Sequence, residues 1–355
     1  MKKTFFAFLL LFAAALAVFA GEPSFIEEGK EAAKKADLAF LWASDVHYQP
    51  QDNHGSSREL IESIVEAANG MGVAFSAVTG DLVHGHYPRN IYLENLSDVR
   101  SFLDGALAPV LPVMGNHDDN RYFVYKRVEK GDGFLDMNET VPKEDFYRTI
   151  LKGHEDEFVR DPKNPYGGWY YKDFTKAKVR VIMLNSIDMP YIPAGRFKYY
   201  GGYSEAQLQW LANKALKFSK KGWGVIVMCH IDYGSQTIGN WDMPQNSEIV
   251  EGILEAFAKK EAGTFYSQVE GMEAKVKYNF RNNRSCEFIG SFAGHKHKNL
   301  SEYVNGTPHV LISNVFREGT GGFDLVLIDR KKRTVVTKRC IGGAAEPSLD
   351  RAFVY

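Results

Sequence analysis

The sequence predicts an α/β protein with one domain, two sheets and a polar site at the carboxyl ends of its strands. Apolar, strand-like runs alternate with amphipathic helical runs in the first third of the chain. A short polar cluster, usually with Asp or His, directly follows each of the strand-like runs. The strand–helix–strand–helix–strand order indicates parallel pairing, which brings the clusters to one edge of a sheet.

Hydrophobic spacing predicts the individual elements. Helices are expected at 57–68, with Ser57 as N-cap, and at 92–107, 142–151, 204–218 (capped by Ser204) and 246–259. Strands are expected at 38–43, 73–78, 110–114, 168–174, 179–186, 223–229, 286–293 and 309–315, and in a hairpin at 323–329 and 333–341.

The chain shows no repeats and no low-complexity linker, so we expect a single domain at 37–345. It would follow a short leader helix at 21–36 and precede a C-terminal tail at 346–355. The charged segment 259–285 is interpreted as a solvated surface insert of unknown use.

Composition excludes several classes of protein. The 355 residues carry a formal charge of −1, and 25% of them are charged, which fits a folded globular protein and neither a disordered nor a collagenous chain. Without a basic excess, long nucleic acids are not expected as partners. Protein partners and oligomeric state are not indicated by the sequence.

The first twenty residues are predicted to be a secretory signal peptide, and the protein is expected to be exported. Lys2 and Lys3 precede an apolar run from Phe5 to Phe19, with a cleavage site after Ala20. Cleavage would remove both lysines and change the formal charge from −1 to −3. The alternative is an uncleaved anchor, although the run is shorter than the ~20 residues of a membrane span. No other stretch is apolar and long enough to cross a bilayer.

Three cysteines are present, and their spacing is not that of a thiolate metal site. Cys229 lies in an apolar run and is interpreted as a core residue. In an exported protein, Cys286 and Cys340 could pair, which would leave Cys229 over.

Five clusters at strand ends offer oxygen and imidazole ligands for metals. They supply seven donors without a thiolate: Asp45, His47, Asp81, Asn116, His230, His295 and His297. One catalytic zinc site uses about three protein ligands, so seven donors suit two metals that share a bridging carboxylate. Each cluster alone is more typical of an ordinary loop, and the ordered set carries the prediction.

The ordered set D-x-H, G-D, G-N-H-D, H and G-H-x-H resembles the calcineurin-like metallophosphoesterase family, from Asp45 to His297. The resemblance implies a four-layer αββα sandwich with two mixed β-sheets. It also implies that one metal binds Asp45, His47 and His297 and that Asp81 bridges to a second. The second metal would bind Asn116, His230 and His295.

In this family a metal-bridged hydroxide attacks phosphorus. By resemblance, His117 would be the general acid and Asp118 would orient it. The two metals are transition ions, and the donor set admits Mn, Fe, Zn, Co or Ni. Purple acid phosphatases carry Tyr at the position of His84, so a tyrosinate–iron site is not expected. The protein phosphatase branch usually carries Arg at the position of Met114, which argues against phosphoprotein substrates.

For several residues near the predicted site, the sequence allows both contact with substrate and a purely structural role. Arg121 could grip a phosphate, and His84 and His86 could reach the substrate or be solvated loop residues. The aromatic segment 191–203, with Tyr199, could stack on a base or aromatic leaving group or be a packed loop. Trp241 is open in the same way.

The predicted function is metal-dependent hydrolysis of a phosphodiester or small organic phosphate. The alternatives are a phosphomonoesterase acting on nucleotides or phospholipid head groups, a nuclease, and a metal-binding relative without catalysis. Retention of His117 argues against the last of these, and the net charge argues against the nuclease.

Overall fold

The structure is a computed structural model that describes residues 24–52, 58–124, 136–190, 200–219, 221–234, 242–283, 285–315 and 321–355. The predicted signal peptide, Ser57, Tyr199 and Trp241 lie outside these residues. None of the helices in the described part combines the length and apolar character needed to cross a membrane.

Six helices are described. They are α1 (Phe25–Lys35), α2 (Arg58–Met71), α3 (Arg89–Leu103), α4 (Lys143–Phe146, continued as a π-helical turn at Tyr147–Leu151), α5 (Glu205–Trp210, continued likewise at Leu211–Ala215) and α6 (Ser247–Lys259). The predicted cap of α5 is confirmed, since the Ser204 hydroxyl accepts the Gln207 N–H at 3.3 Å.

Sixteen strands are described. They are β1 (Leu38–Ala43), β2 (Phe75–Thr79), β3 (Val110–Val113), β4 (Val159–Arg160), β5 (Tyr170–Phe174), β6 (Val179–Met183), β7 (Gly224–Cys229), β8 (Ala262–Ser267), β9 (Ala274–Asn279), β10 (Glu287–Ala293), β11 (Leu300–Val304), β12 (Thr307–Leu311), β13 (Phe323–Asp329), β14 (Thr334–Ile341), β15 (Ala344–Ala345) and β16 (Arg351–Val354).

The first sheet has the order β15-β14-β13-β1-β2-β3, with β16 also paired to β14. Strands β1, β2 and β3 are parallel, as their alternation with helices predicts. Strand β13 lies antiparallel beside β1 and forms the predicted hairpin with β14. The carboxyl ends of β1, β2 and β3 therefore meet at one edge.

The second sheet has the order β11-β12-β10-β7-β6-β5-β4. Its central strands β6, β7, β10 and β12 run parallel, while the outer pairs are antiparallel. The ends of β7 and β10 are consequently adjacent, in the same way as the ends of the first three strands.

The two sheets pack face to face, and helices cover both outer faces. Phe292 of β10 contacts Phe40 and Trp42 of β1 edge-on, with ring centroids 5.9 and 5.2 Å apart. Helices α1, α2 and α3 join the core of the first sheet, and α5 and α6 that of the second. The predicted four-layer αββα sandwich is confirmed.

The two terminal segments are part of the sandwich. Phe25 of α1 is buried and packs edge-on against Phe323, with ring centroids 6.1 Å apart. The predicted tail contains β16, which pairs with β14, and its Arg351 forms an ion pair with buried Asp324. A pattern search misses β16 because four residues give too short a period to recognise.

The structure also decides one alternative that the sequence leaves open and corrects one expectation. All three cysteines are buried and none forms a disulfide, so Cys286 and Cys340 are not bridged; they belong to the cores of different sheets. The segment 259–285 is not simply a solvated insert, because it forms the hairpin β8–β9, whose Val276 and Phe280 are fully buried in the second core.

Candidate metal centre

The five polar clusters converge between the two sheets. Those after β1, β2 and β3 come from the first sheet, and those after β7 and β10 come from the second. The structure brings together all seven proposed ligands, namely Asp45, His47, Asp81, Asn116, His230, His295 and His297. His47 and His297, which are 250 positions apart in sequence, thus share one site because both sheets present their strand ends there.

One group consists of Asp45, His47 and His297. The His297 Nε2 atom lies 3.1 Å from the Asp45 Oδ1 atom, and the Nε2 atoms of His47 and His297 are 3.4 Å apart. One donor atom from each of the three residues lies within 4.8 Å of the other two. Two ring nitrogens that face each other beside a carboxylate suit a shared cation.

The second group consists of Asn116, His230 and His295. The Asn116 Oδ1 atom is 2.8 Å from the His230 Nε2 atom and 2.9 Å from the His295 Nδ1 atom. The His230 Nδ1 atom is 2.7 Å from the carbonyl of Thr79. Because a carbonyl can only accept, the proton of a neutral His230 sits on Nδ1, and its Nε2 lone pair is available to a ligand.

Asp81 lies between the two groups. Its Oδ2 atom is 3.6 Å from the His47 Nε2 atom and 3.3 Å from the His230 Nε2 atom. Its Oδ1 atom accepts the His117 backbone N–H at 2.8 Å, which fixes the carboxylate plane. A carboxylate held between two imidazoles is the arrangement that a bridging ligand requires.

The charges of the site also fit bound cations. Burial opposes ionisation of Asp81, but His230 and His117 outweigh it and hold the pKa of Asp81 well below its usual value. Burial lowers the pKa of His230, and the Asp81 carboxylate more than reverses this, raising that pKa to about 9. The buried carboxylates of Asp45 and Asp81 are therefore stable only beside positive charge. Protonated histidines supply that charge when no metal is bound.

The backbone is strained at most of the proposed ligands. Five of the seven ligand residues have a positive φ, between 50° and 69°: Asp45, His47, Asp81, His295 and His297. Non-glycine residues rarely adopt this conformation, and such strain concentrates at functional sites. Sharp turns directly after the strands thus aim successive ligands into one space.

The absence of a side chain at Gly80 leaves space for the His230 ring of the second group. Its φ is +88°, and a Cβ atom at this position would lie 2.6 Å from the His230 Nδ1 atom and 2.8 Å from the Gly115 Cα atom. Any larger residue would displace the His230 ring or separate the loops after β2 and β3.

His117, the predicted proton donor, is held on two sides. Its Nδ1 atom lies 2.6 Å from the His84 carbonyl, and its Nε2 atom lies 4.0 Å from the Asp81 Oδ2 atom. The Tyr122 ring stacks on its face, with centroids 4.1 Å apart and planes within 13°. The Tyr122 and Tyr200 hydroxyls are 3.2 Å apart, which anchors the stacking ring. The Nε2 atom is thereby directed toward the ligand cluster.

Asp118 does not orient the His117 ring as expected. Its carboxylate accepts the backbone N–H groups of Gly115 and Val83, at 2.8 and 3.2 Å, and the Tyr92 hydroxyl at 3.3 Å. Burial, followed by the Asp81 charge, raises the pKa of Asp118 to about 8. Asp118 shapes the turn that carries Asn116 and His117, since its side chain points back under the loop.

The candidate substrate residues differ in whether the structure places them in the site. Arg121 is buried, forms an ion pair with Asp119 and donates to the Tyr200 carbonyl at 2.9 Å, so it does not face a substrate. The His84 ring lies within the site, beside His47. Tyr199 lies outside the described residues.

Sequence reasoning missed several residues that support the site. Asp242 forms an ion pair with Lys296, and its Oδ2 atom is 3.6 Å from the His295 Nε2 atom. Tyr122 and the Thr79 carbonyl were missed as well. Thr79 was detectable as the residue that ends β2, but neither Asp242 nor Tyr122 follows a strand, so no spacing signal marks them.

Together these features define an αββα sandwich with a candidate metal site between its sheets and the His117 imidazole beside the proposed ligands. Residues 38–299 match the profile of the calcineurin-like phosphoesterase family, and the chain belongs to that family. Family membership supports metal-dependent hydrolysis of phosphoesters as the general activity and a dinuclear metal centre as its cofactor.

Two solved phosphatase structures are similar to this chain to different degrees. A dimetal phosphatase from Danio rerio is similar over 90% of this chain and 100% of that chain, with 16% identity and a TM-score of 0.60. A purple acid phosphatase from yellow lupin covers 89% of this chain and 53% of that chain, with 11% identity and a TM-score of 0.47. No curated protein matches the chain in sequence.

Proposed function

We propose that this protein hydrolyses small phosphodiesters with two transition-metal ions bound between its sheets. Asp45, His47 and His297 would hold one ion, and Asn116, His230 and His295 the other, with Asp81 shared. When bound, such a pair neutralises phosphoryl oxygens and makes a water nucleophilic near neutral pH. The position of the Asp81 carboxylate, between His47 and His230, carries this proposal.

His117 would donate a proton to the leaving oxygen. Its Nδ1 proton is held by the His84 carbonyl, so the Nε2 atom is the one that exchanges a proton with substrate. The stacked Tyr122 ring keeps the imidazole from turning away. A histidine in this place supports a catalytic protein over a metal-binding relative that has lost activity.

Among the described residues, the charges of the cationic side chains near the site support a diester over a monoester. Arg121 is committed to Asp119, and Lys296 is committed to Asp242. Neither cation brings an unbalanced positive charge to the substrate. A phosphodiester carries one negative charge and needs less compensation than a monoester dianion, so the ion pairs favour the diester.

The test compares two aryl phosphates in protein reconstituted separately with Mn²⁺, Zn²⁺, Co²⁺, Ni²⁺ and Fe²⁺. We expect kcat/KM for bis(p-nitrophenyl) phosphate to exceed that for p-nitrophenyl phosphate. Asp81→Asn should abolish metal-dependent turnover while the thermal unfolding transition is retained. Unchanged turnover in Asp81→Asn would contradict the mechanism, and faster monoester hydrolysis would assign the alternative substrate class.

We also propose that the protein is exported. The basic start at Lys2 and Lys3, the apolar run and the small residues before Gly21 support this. Mature protein should begin at Gly21 in N-terminal sequencing, and a retained Met1 would contradict the proposal.

A further inference from the structure

The loop after β2 runs directly beside the loop after β1. The His47 N–H donates to the Asp81 carbonyl at 2.8 Å, and the Tyr48 N–H donates to the Leu82 carbonyl at 2.9 Å. The His84 N–H then donates back to the Tyr48 carbonyl at 3.4 Å. Parallel pairing thus continues past the strand ends and sets His84 against His47.

The side chain of His84 contacts the ring of His47. Their Nδ1 atoms are 3.1 Å apart, and the rings cross at 72°. At the other end of its ring, the His47 Nε2 atom faces Asp81 and His297. A neutral imidazole that offers its Nε2 lone pair carries its proton on Nδ1, so His47 must donate to His84.

The main chain of His84 contacts the proton donor. Its carbonyl lies 2.6 Å from the His117 Nδ1 atom. The next residue, Gly85, has a φ of +74°, and a Cβ atom there would lie 2.7 Å from the His117 carbonyl oxygen. The glycine therefore allows the close approach of the two loops that this hydrogen bond needs.

We propose that His84 is a positioning residue that fixes both His47 and His117. Its imidazole accepts from the metal ligand, and its carbonyl accepts from the proton donor. Metal-binding histidines usually donate their second N–H to a carboxylate, a carbonyl or water, and an imidazole takes that place here. The inference rests on the proposed function for His117, whereas the part concerning His47 depends on metal binding alone.

The first test measures zinc binding by chelator competition in metal-free protein. His84→Phe keeps a ring but removes the acceptor, and it should weaken one of two zinc sites about 10- to 100-fold. His84→Asn returns an acceptor oxygen and should recover most of that loss. The control is His86→Phe, which changes a neighbouring ring whose centroid lies 3.8 Å from that of His84. This variant should leave the zinc affinities of both sites nearly unchanged. Wild-type affinity in His84→Phe would overturn the proposal.

The second test uses the wild-type protein, so it does not depend on how a variant folds. Histidine ¹⁵N spectra of the zinc-loaded protein should show His47 protonated at Nδ1 and His84 unprotonated there. The reverse pattern would overturn the proposal. The nitrogens of His47, His84 and His117 also lie within 4.8 Å of one another. A third zinc ion lost in His84→Phe would therefore make His84 a ligand and contradict the positioning role.

The same experiments separate this inference from the proposed function. If the wild type hydrolyses no phosphoester while the zinc and ¹⁵N results hold, the proposed function fails and the positioning of His47 stands. If it is active, the positioning of His117 is tested with Gly85→Ala, because the His84 carbonyl remains in His84→Phe, whereas a Cβ atom at Gly85 would push its loop away from His117. A loss in Gly85→Ala that grows as the leaving group becomes more basic supports the positioning of His117. An equal loss for all leaving groups would overturn that part.

Discussion

Replacing Gly80 by alanine should damage the metal centre more than it damages the fold. Gly80 combines a φ of +88° with close contact to the His230 ring. The His230 ring cannot yield easily, because it is fully buried and its Nδ1 atom is held by the Thr79 carbonyl. The added methyl group therefore acts directly on a proposed ligand.

The free-energy cost of Gly80→Ala has two separable parts, one from the backbone and one from packing. A left-handed alanine costs about 1–2 kcal/mol, and overpacking costs about 1–3 kcal/mol more. Contact at 2.6 Å must open to an ordinary contact distance, near 3.4 Å, so the ring must shift by about 0.8 Å. Metal–ligand distances tolerate only about 0.2 Å, so we expect metal affinity to fall at least 10-fold.

Gly153→Ala is the matched control. Gly153 has a similar φ of +92°, but a Cβ atom there meets no atom within 4 Å. It should show the backbone cost of about 1–2 kcal/mol in urea unfolding and keep wild-type zinc affinity. The assay is urea unfolding of the metal-free proteins combined with zinc competition against a chelator. Wild-type zinc affinity in Gly80→Ala, or an equal loss of zinc affinity in both variants, would show that the contact between residue 80 and the His230 ring does not control metal binding.

Three further predictions concern the remainder of the molecule. Asp324→Ala removes the carboxylate shared by two largely buried guanidinium groups and should lower the free energy of unfolding by about 3–5 kcal/mol; a loss below about 1 kcal/mol would contradict this. Burial lowers the pKa of His309, but Asp232 raises it by more, so the folded pKa exceeds the unfolded one of about 6.5. This stabilisation is complete below pH ~6.5 and lost as pH rises through the folded pKa, so urea titrations should show a fall that is absent in His309→Asn; identical pH profiles would exclude it. Burial raises the pKa of all three thiols, so a thiol reagent should label native protein slowly and unfolded protein at three sites; a single site would indicate a disulfide.

Local patterns predicted the parallel order of the three strands of the first sheet that the chain builds consecutively. Strands β1, β2 and β3 alternate with helices, so their parallel order follows from short connections. The position of β13 beside β1 does not follow in this way. Leu38 pairs with Ile328, and no local periodicity encodes a pairing over such a separation.

The proposed ligands could be picked out from the sequence because each follows a strand that hydrophobicity reveals. The residues that orient them were not, because their roles depend on how loops pass one another. Asp118 occupies the expected position in sequence, yet its carboxylate turns toward Gly115 and Val83. The acceptor for the His117 Nδ1 proton is the His84 carbonyl, which no side-chain pattern can indicate.

We propose above that two metal ions bound by these side chains support phosphodiester hydrolysis. The most direct measurement titrates zinc or manganese into metal-free protein and follows turnover of bis(p-nitrophenyl) phosphate. We expect turnover to rise until two equivalents per chain are bound and then to level off. Saturation at one equivalent, or turnover that does not depend on added metal, would contradict it.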